Sequence, residues 1–243
     1  MKENRRQQQR AWLNSATCAI TATVAALAHI SANAQSFAPH AYIGGAFGAS
    51  TAQGDFAGQV FRAGQTLTSG NVIANIRSDR SDTGGKAFVG YQFHRNLAAE
   101  LSYVDFGRFN GSYDFSGPNS FSKQYLASWR ADGVALDLVG SIEVMPKLSV
   151  MGRAGLMRSS LKYSQTTLPI NNDPSSAPTE NQTRPRFGLA LGYDFTSAIG
   201  AQLGWERTVG IGRNFSFVGS QPERSNGKLD YDLLSLGITY RFR

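Results

Sequence analysis

The only cysteine in the 243-residue sequence is Cys18. Downstream of it there is no thiol to form a disulfide, carry a lipid anchor or act as a nucleophile. Histidine is almost as scarce: of three residues, His40 and His94 alone follow Ala34. Zinc sites built on His and Cys, and Ser–His–Asp hydrolysis, have too few ligands or bases to draw on. Charged residues make up 17%, below the roughly 25% typical of soluble domains. No window after Ala34 approaches the run of about 18 apolar residues that a membrane helix needs. Apolar spacing at i, i+3, i+4, i+7 is not sustained anywhere either, which argues against a helical bundle.

The first residues read as a removable leader. "MKENRRQQQR" supplies Lys2, Arg5, Arg6 and Arg10, and "AWLNSATCAITATVAALA" follows as a moderately apolar core. Ala32-Asn33-Ala34 has the small-x-small form of a cleavage site, placing the cut between Ala34 and Gln35. Asn14, Ser15 and several threonines dilute the run, so a secretory signal peptide over 1–34 is expected rather than an anchor. The domain proper is then 35–243.

Strict alternation dominates that domain. Apolar residues of one parity recur in eight sets: Ile43 to Ala49, Ala87 to Phe93, Leu97 to Tyr103, Val134 to Ile142, Leu148 to Leu156, Phe187 to Phe195, Ile199 to Trp205, and Leu234 to Phe242. The opposite parity holds Lys86, Glu100, Asp137, Glu143, Arg153, Asp194, Glu206 and Arg241, with many Gly and Ala. A soluble sandwich would bury the apolar parity, whereas an outer-membrane barrel turns it to lipid.

Connection lengths separate the two. Short links lie at His94 to Asn96, near Met145-Pro146-Lys147 and at Thr196 to Ala198. Long polar ones run over 51–82, 108–130, 160–185 and 210–227. Short turns alternating with long loops, in an even number of strands, mark an up-and-down transmembrane barrel. The expected fold is all-β: eight antiparallel strands with short periplasmic turns and long extracellular loops. Tyr91, Phe93, Tyr193, Phe195, Tyr240 and Phe242 fall at the turn ends, where an aromatic girdle belongs.

Four stretches, "GYQFHRNLAAELSYVDFG", "GVALDLVGSIEVMPKLSVMGRAGLM", "FGLALGYDFTSAIGAQLGWER" and "YDLLSLGITYRF", resemble the eight-stranded transmembrane domain of the OmpA family. The resemblance implies a monomeric or weakly associating barrel in the outer membrane of a Gram-negative cell. Relatives often add a periplasmic domain that binds peptidoglycan. This sequence stops at the barrel, so that role is not expected of it. The last strand also resembles the signal read by the barrel-assembly machinery, with Gly237, Tyr240 and Phe242 in place and Arg243 following. That machinery and the periplasmic chaperones are therefore implied partners.

Family barrels enclose paired charges that plug the lumen. Glu100 and Arg153 match family interior charges, while Gly192, Gln202 and Val139 stand where other charged members would be. A rearranged or thinner plug is expected, built from Lys86, Glu100, Asp137, Arg153, Glu206 and Arg241. Glycines 90, 140, 152, 188, 192, 200, 204 and 237 would leave the lumen wetter.

Outer-membrane enzymes of similar size resemble one another in placing His near the outer rim. His40 and His94 belong to the turn end here, so no catalytic residue is assigned, and no metal or other cofactor is expected. Gly-rich "YIGGAFGAS" lacks the context of a phosphate loop, and no basic face interleaved with aromatics points to nucleic acid. The loops, rich in Ser, Asn, Pro and Gly, are suited to exposed contact surfaces. Arg77, Arg80, Arg108, Lys123, Arg130, Arg184, Arg213 and Lys228 near the rim suit lipopolysaccharide phosphates. The expected function is envelope integrity and loop-mediated contact, with a low-conductance porin-like channel as the alternative.

Overall fold

A computed structural model describes residues 37–54, 72–117, 121–168, 175–215 and 225–242. The segment expected to be a signal peptide and the expected cleavage residues Ala32, Ala34 and Gln35 lie outside them. The described residues are almost all strand: β1 (His40–Gln53), β2 (Val72–Asp79), β3 (Ser81–His94), β4 (Leu97–Gly117), β5 (Phe121–Met145), β6 (Leu148–Leu168), β7 (Ser175–Asp194), β8 (Ile199–Phe215) and β9 (Ser225–Arg241).

All pairing is antiparallel. The order is β2-β4-β3-β1-β9-β8-β7-β6-β5, and a further β4–β5 ladder closes a ring of eight strands. No edge is left in the ring, which is what lets backbone polar groups sit in lipid. β2 is a ninth strand outside the eight. Among the described residues it pairs only with the outer half of β4, Val72 opposite Ser116 and Asp79 opposite Asn110, above the point where β3 leaves it.

Each of the eight alternating sets falls on a ring strand, with Phe195 and Phe242 one residue past the ends of β7 and β9, and turns outward. One hydrogen-bonded row shows the consequence: Phe47, Leu236, Leu203, Leu191, Val150 and Ile142 succeed one another across six strands, all exposed. So large an exposed apolar surface is unstable in water and suited to hydrocarbon. At the turn end Tyr193 packs edge-on to Phe195 at 5.3 Å, and Tyr240 to Phe242 at 5.1 Å.

The long polar connections are corrected by the structure. Most of 108–130 and 160–185 is strand, with β4, β5 and β6 continuing as one ladder to Gly117, Phe121 and Leu168. The reason lies in a second alternation, Phe109, Tyr113, Tyr125 and Trp129, whose rings pack on one face. Phe109 stacks on Trp129 at 6.2 Å and Tyr113 on Tyr125 at 5.0 Å. Cross-strand aromatic pairs of this kind hold a ladder together where no lipid supports it.

Candidate functional site

The inward parity builds three layers. Nearest the loops is an apolar cluster containing Val104, Phe106, Phe109, Trp129, Met157, Ile211, Tyr231 and Leu233, all buried. Tyr231 sits at its centre, 5.3 Å from the Phe106 ring and 5.5 Å from that of Phe109. Nearest the turns is a smaller cluster of Tyr42, Phe88, Ala98 and Val139. Ionised side chains fill the space between.

Glu100 and Glu206 form the middle of that charged layer, reaching in from β4 and β8. Lys86 Nζ stands 3.3 Å from Glu100 Oε1 and 2.5 Å from Glu206 Oε1. Arg153 Nη1 bridges the same two oxygens at 2.8 and 2.7 Å. Tyr42 donates its hydroxyl to Glu100 Oε2 at 3.3 Å, and Arg186 donates Nη2 to Glu206 Oε2. Arg186 Nε also lies 3.5 Å from Asp137 Oδ2. Three acids thus face three bases, all buried. Burying any one charge alone would cost several kcal/mol, about 3–5 when its partner is removed. Balance within the cluster is what makes the layer tolerable.

Glycine sets the geometry. Register places Asp137, Gly155 and Arg186 in one row, and Arg153, Gly188 and Glu206 in another. In each row acid and base are two strands apart and meet over a residue with no side chain. A Cβ on Gly155 would come within 2.3 Å of Asp137 Oδ1, and one on Gly188 within 2.9 Å of Glu206 Cγ. Gly188, one of the glycines expected to leave a wet lumen, is instead part of the floor on which its charges lie, together with Gly155.

Of the six residues the sequence suggested for this network, Lys86, Glu100, Asp137, Arg153 and Glu206 come together. Arg241 does not. It faces Asp194 at the turn end, Nη2 to Oδ1 2.6 Å, since its register partner is Tyr42 at the lower edge of the lumen. Glu143 is also outside the cluster, exposed at a turn, where its carboxylate accepts from Lys147 N at 3.3 Å. Arg186 was the member missed. It shares the parity of Gly188 and Ala190 and opposes Phe187, but it directly follows Pro185, where the long connection seemed to end. Of the residues expected to form an assembly signal, Gly237 lies on the inward side with Ala46 beside it, and Tyr240 and Phe242 face out.

Outside the barrel wall, just beyond the apolar band, a polar collar begins. Tyr103 donates to Asp132 Oδ2 at 3.0 Å. Arg207 clasps Asp232 with Nε to Oδ1 and Nη2 to Oδ2, both 2.7 Å, and this bond raises the guanidinium pKa further. Asp105 accepts from Arg130 and from Gly107 N. Partial burial opposes ionisation of Asp105, but those two bonds and the Arg130 charge outweigh it and hold the carboxyl below its usual range. Among the described residues no group of His, Cys, Asp and Glu could hold a metal ion. No described helix is long and apolar enough to cross a membrane, which says nothing of strands.

Solved structures similar to the chain are outer-membrane barrels. Ail, the attachment invasion locus protein of Yersinia pestis, aligns at 12% identity and TM-score 0.46, covering 85% of this chain and all of that one. Neisserial surface protein A aligns at 13% and 0.43 with 85% and 100% covered. The N-terminal barrel of Pseudomonas aeruginosa OprF gives 16% and 0.41, with 83% and 97% covered. Among curated proteins none matches. The family model for the OmpA-like transmembrane domain matches residues 38–243, and with it the chain belongs to that family of outer-membrane β-barrels.

Proposed function

We propose that this protein is a sealed barrel that anchors a contact surface at the outside of the outer membrane and contributes to envelope integrity. The observation that carries the reading is the lumen: two apolar layers enclose a charge cluster in which three acids are ion-paired with three bases. An ion path needs sites that are charged yet open to water, and this interior has spent its charges on itself. The long β4–β5–β6 ladder supports the outward half of the reading, since it projects a rigid platform beyond the apolar band. Lipopolysaccharide is the partner that surrounds such a platform, and assembly through the barrel machinery rests on Gly237, Tyr240 and Phe242. No catalysis is part of the proposal: His40 and His94 are at the turn end, away from the platform.

The alternative is the low-conductance channel. Planar-bilayer recording of the refolded barrel, with folding verified by heat-modifiable gel mobility, separates the two. A folded and silent barrel supports the anchor; reproducible small steps from the unmodified protein would refute it and establish the channel.

A further inference from the structure

Above the collar the wall of the barrel forks. The β7–β8 ladder ends with Arg186 opposite Thr208, and the β1–β9 ladder with Gln53 opposite Asp230. β7 continues outward paired with β6 as far as Ser175, as part of the platform. β8 and β9 continue paired with each other, Ile211 opposite Leu229 and Phe215 opposite Ser225. Among the described residues, this two-stranded ribbon of 211–215 and 225–229 has no ladder partner on either edge. Two-stranded ribbons are marginal on their own, so its position depends on the contacts that hold it down.

The fork has a cause in the sequence. Pro185, next outward from Arg186, has no N–H to give a neighbouring strand. On β8 the register slips between Thr208 and Ile211, and Gly210 takes a φ of 75°, which residues with a Cβ rarely adopt. Asp230 Oδ1 accepts from Gly210 N at 2.9 Å and satisfies a donor that the slip leaves over. A bulge of this kind bends a strand at a fixed point.

An apolar plug and a polar latch hold the ribbon. Ile211 and Leu229 share its inner face and are buried in the loop-side cluster with Phe106, Phe109 and Tyr231. Gln182, on β7, reaches across the fork and donates Nε2 to Gly212 O at 2.8 Å. The same amide donates to Glu180 Oε2 at 3.1 Å, and Gln182 Oε1 accepts from Arg184 Nε at 3.0 Å. The Gln182 backbone carbonyl accepts from Ser159 Oγ at 3.1 Å, so the latch is braced from the platform side.

We infer that the outer ends of β8 and β9 form a lid, hinged at Gly210 and latched by Gln182, that swings as a unit away from the β4–β5–β6–β7 platform. Ile211 and Leu229 are the plug it lifts, and the loop-side aromatics are the surface it uncovers. The outward contact surface therefore has two states, and Phe109, Trp129 and Tyr231 are covered in one of them. The inference goes beyond the sealed-anchor reading and does not depend on it, because the charged layer lies beneath the hinge.

With Cys18→Ser the chain has no thiol of its own, so introduced ones report without competition. Spin labels at Lys228→Cys and Lys162→Cys, both exposed positions, follow the lid against the platform in nanodiscs. Double electron–electron resonance should give two distances for that pair, and one for Arg108→Cys with Lys162→Cys inside the platform. Gln182→Ala should raise the ratio of the longer distance to the shorter about fivefold, the worth of one hydrogen bond. In a second readout, Ile211→Cys and Leu229→Cys should react with a water-soluble maleimide at matching rates, and Gln182→Ala should speed both about fivefold. Val139→Cys, buried in the turn-side layer, should not respond to that substitution.

A single Lys228–Lys162 distance, or thiols at 211 and 229 that stay unreactive in the folded barrel, would overturn the lid. Opening that Gln182→Ala leaves unchanged would overturn the latch, and reaction at one of 211 and 229 without the other would overturn the swing as a unit. Conductance recorded on the same preparation separates the readings: a conducting barrel with a moving lid would sink the sealed anchor and leave the lid standing.

Discussion

Asp137 and Arg186 stand in one hydrogen-bonded row with only Gly155 between them, their carboxylate and guanidinium 3.5 Å apart over its bare backbone. The pair exists because the intervening residue has no side chain. Gly155→Ala would put a methyl within 2.3 Å of Asp137 Oδ1 and 2.1 Å of Leu136 O, and the latter is backbone that cannot step aside. Overpacking of this kind costs about 1–3 kcal/mol. Urea titration of the barrel in lipid vesicles should show the midpoint fall by a corresponding amount. Gly152→Ala, where the nearest atom is 4.0 Å away, should leave it unchanged.

The charged layer is balanced rather than intrinsically favourable, and that distinction is measurable. Arg186→Met strands Asp137 and removes one donor from Glu206, so it should cost about 3–5 kcal/mol. Asp137→Leu in the Arg186→Met background removes the stranded charge and should restore most of that loss, because apolar replacement of a buried pair is often neutral or better. If the double variant is no more stable than the single one, the two residues do not act as a pair. A double-mutant cycle on unfolding midpoints measures this.

How much of this was legible beforehand differs by residue. The parity of Phe47, Leu136, Leu203 or Leu236 follows from period two alone, because strand side chains must alternate. Five of the cluster's charges were visible as polar residues at inward parity. Which acid meets which base was not, because it depends on register and stagger between strands, which a single strand's pattern does not encode. Arg241 has inward parity and still sits too low, beside Asp194. Arg186 was hidden by its neighbour Pro185, and the outer ladder by its composition. Ser, Asn and Gly dominate 108–130, and the alternating Phe109, Tyr113, Tyr125 and Trp129 are thinly spread among them. Strands above the membrane need no apolar outer face, so they carry half the usual signal.

The collar predicts a pH dependence with a definite sign. The carboxyl of Asp105 is held below its ordinary value of 3.8 in the folded barrel. A depressed carboxylate contributes stability that is present above its unfolded value and is lost as pH falls through the folded one. Asp105→Asn should therefore be less stable than the unmodified barrel near neutrality, and the gap should close as pH drops from about 5 to about 2. Arg130 and Asp105 are both partly exposed, so the gap should be small and shrink further in high salt. Melting followed by heat-modifiable mobility at several pH values reads it directly.

The lumen offers the sharpest mechanical prediction, because its three layers act in series. Removing the Tyr231 ring breaks the contacts at 5.3 and 5.5 Å that close the loop-side cluster. Beneath it, Lys86 and Arg153 still tie Glu100 to Glu206 across the barrel. Tyr231→Ala alone should consequently fold and remain electrically silent. Arg153→Ala alone should also be silent, since both apolar layers persist, although it frees Glu100 and Glu206 of a shared base. Tyr231→Ala with Arg153→Ala and Phe88→Ala removes a member of each layer in turn. That triple variant should give small cation-preferring steps, because the exposed carboxylates outnumber the bases left beside them. Steps already present in Tyr231→Ala would mean that the charge cluster does not seal the barrel, and the loop-side aromatics would be its gate.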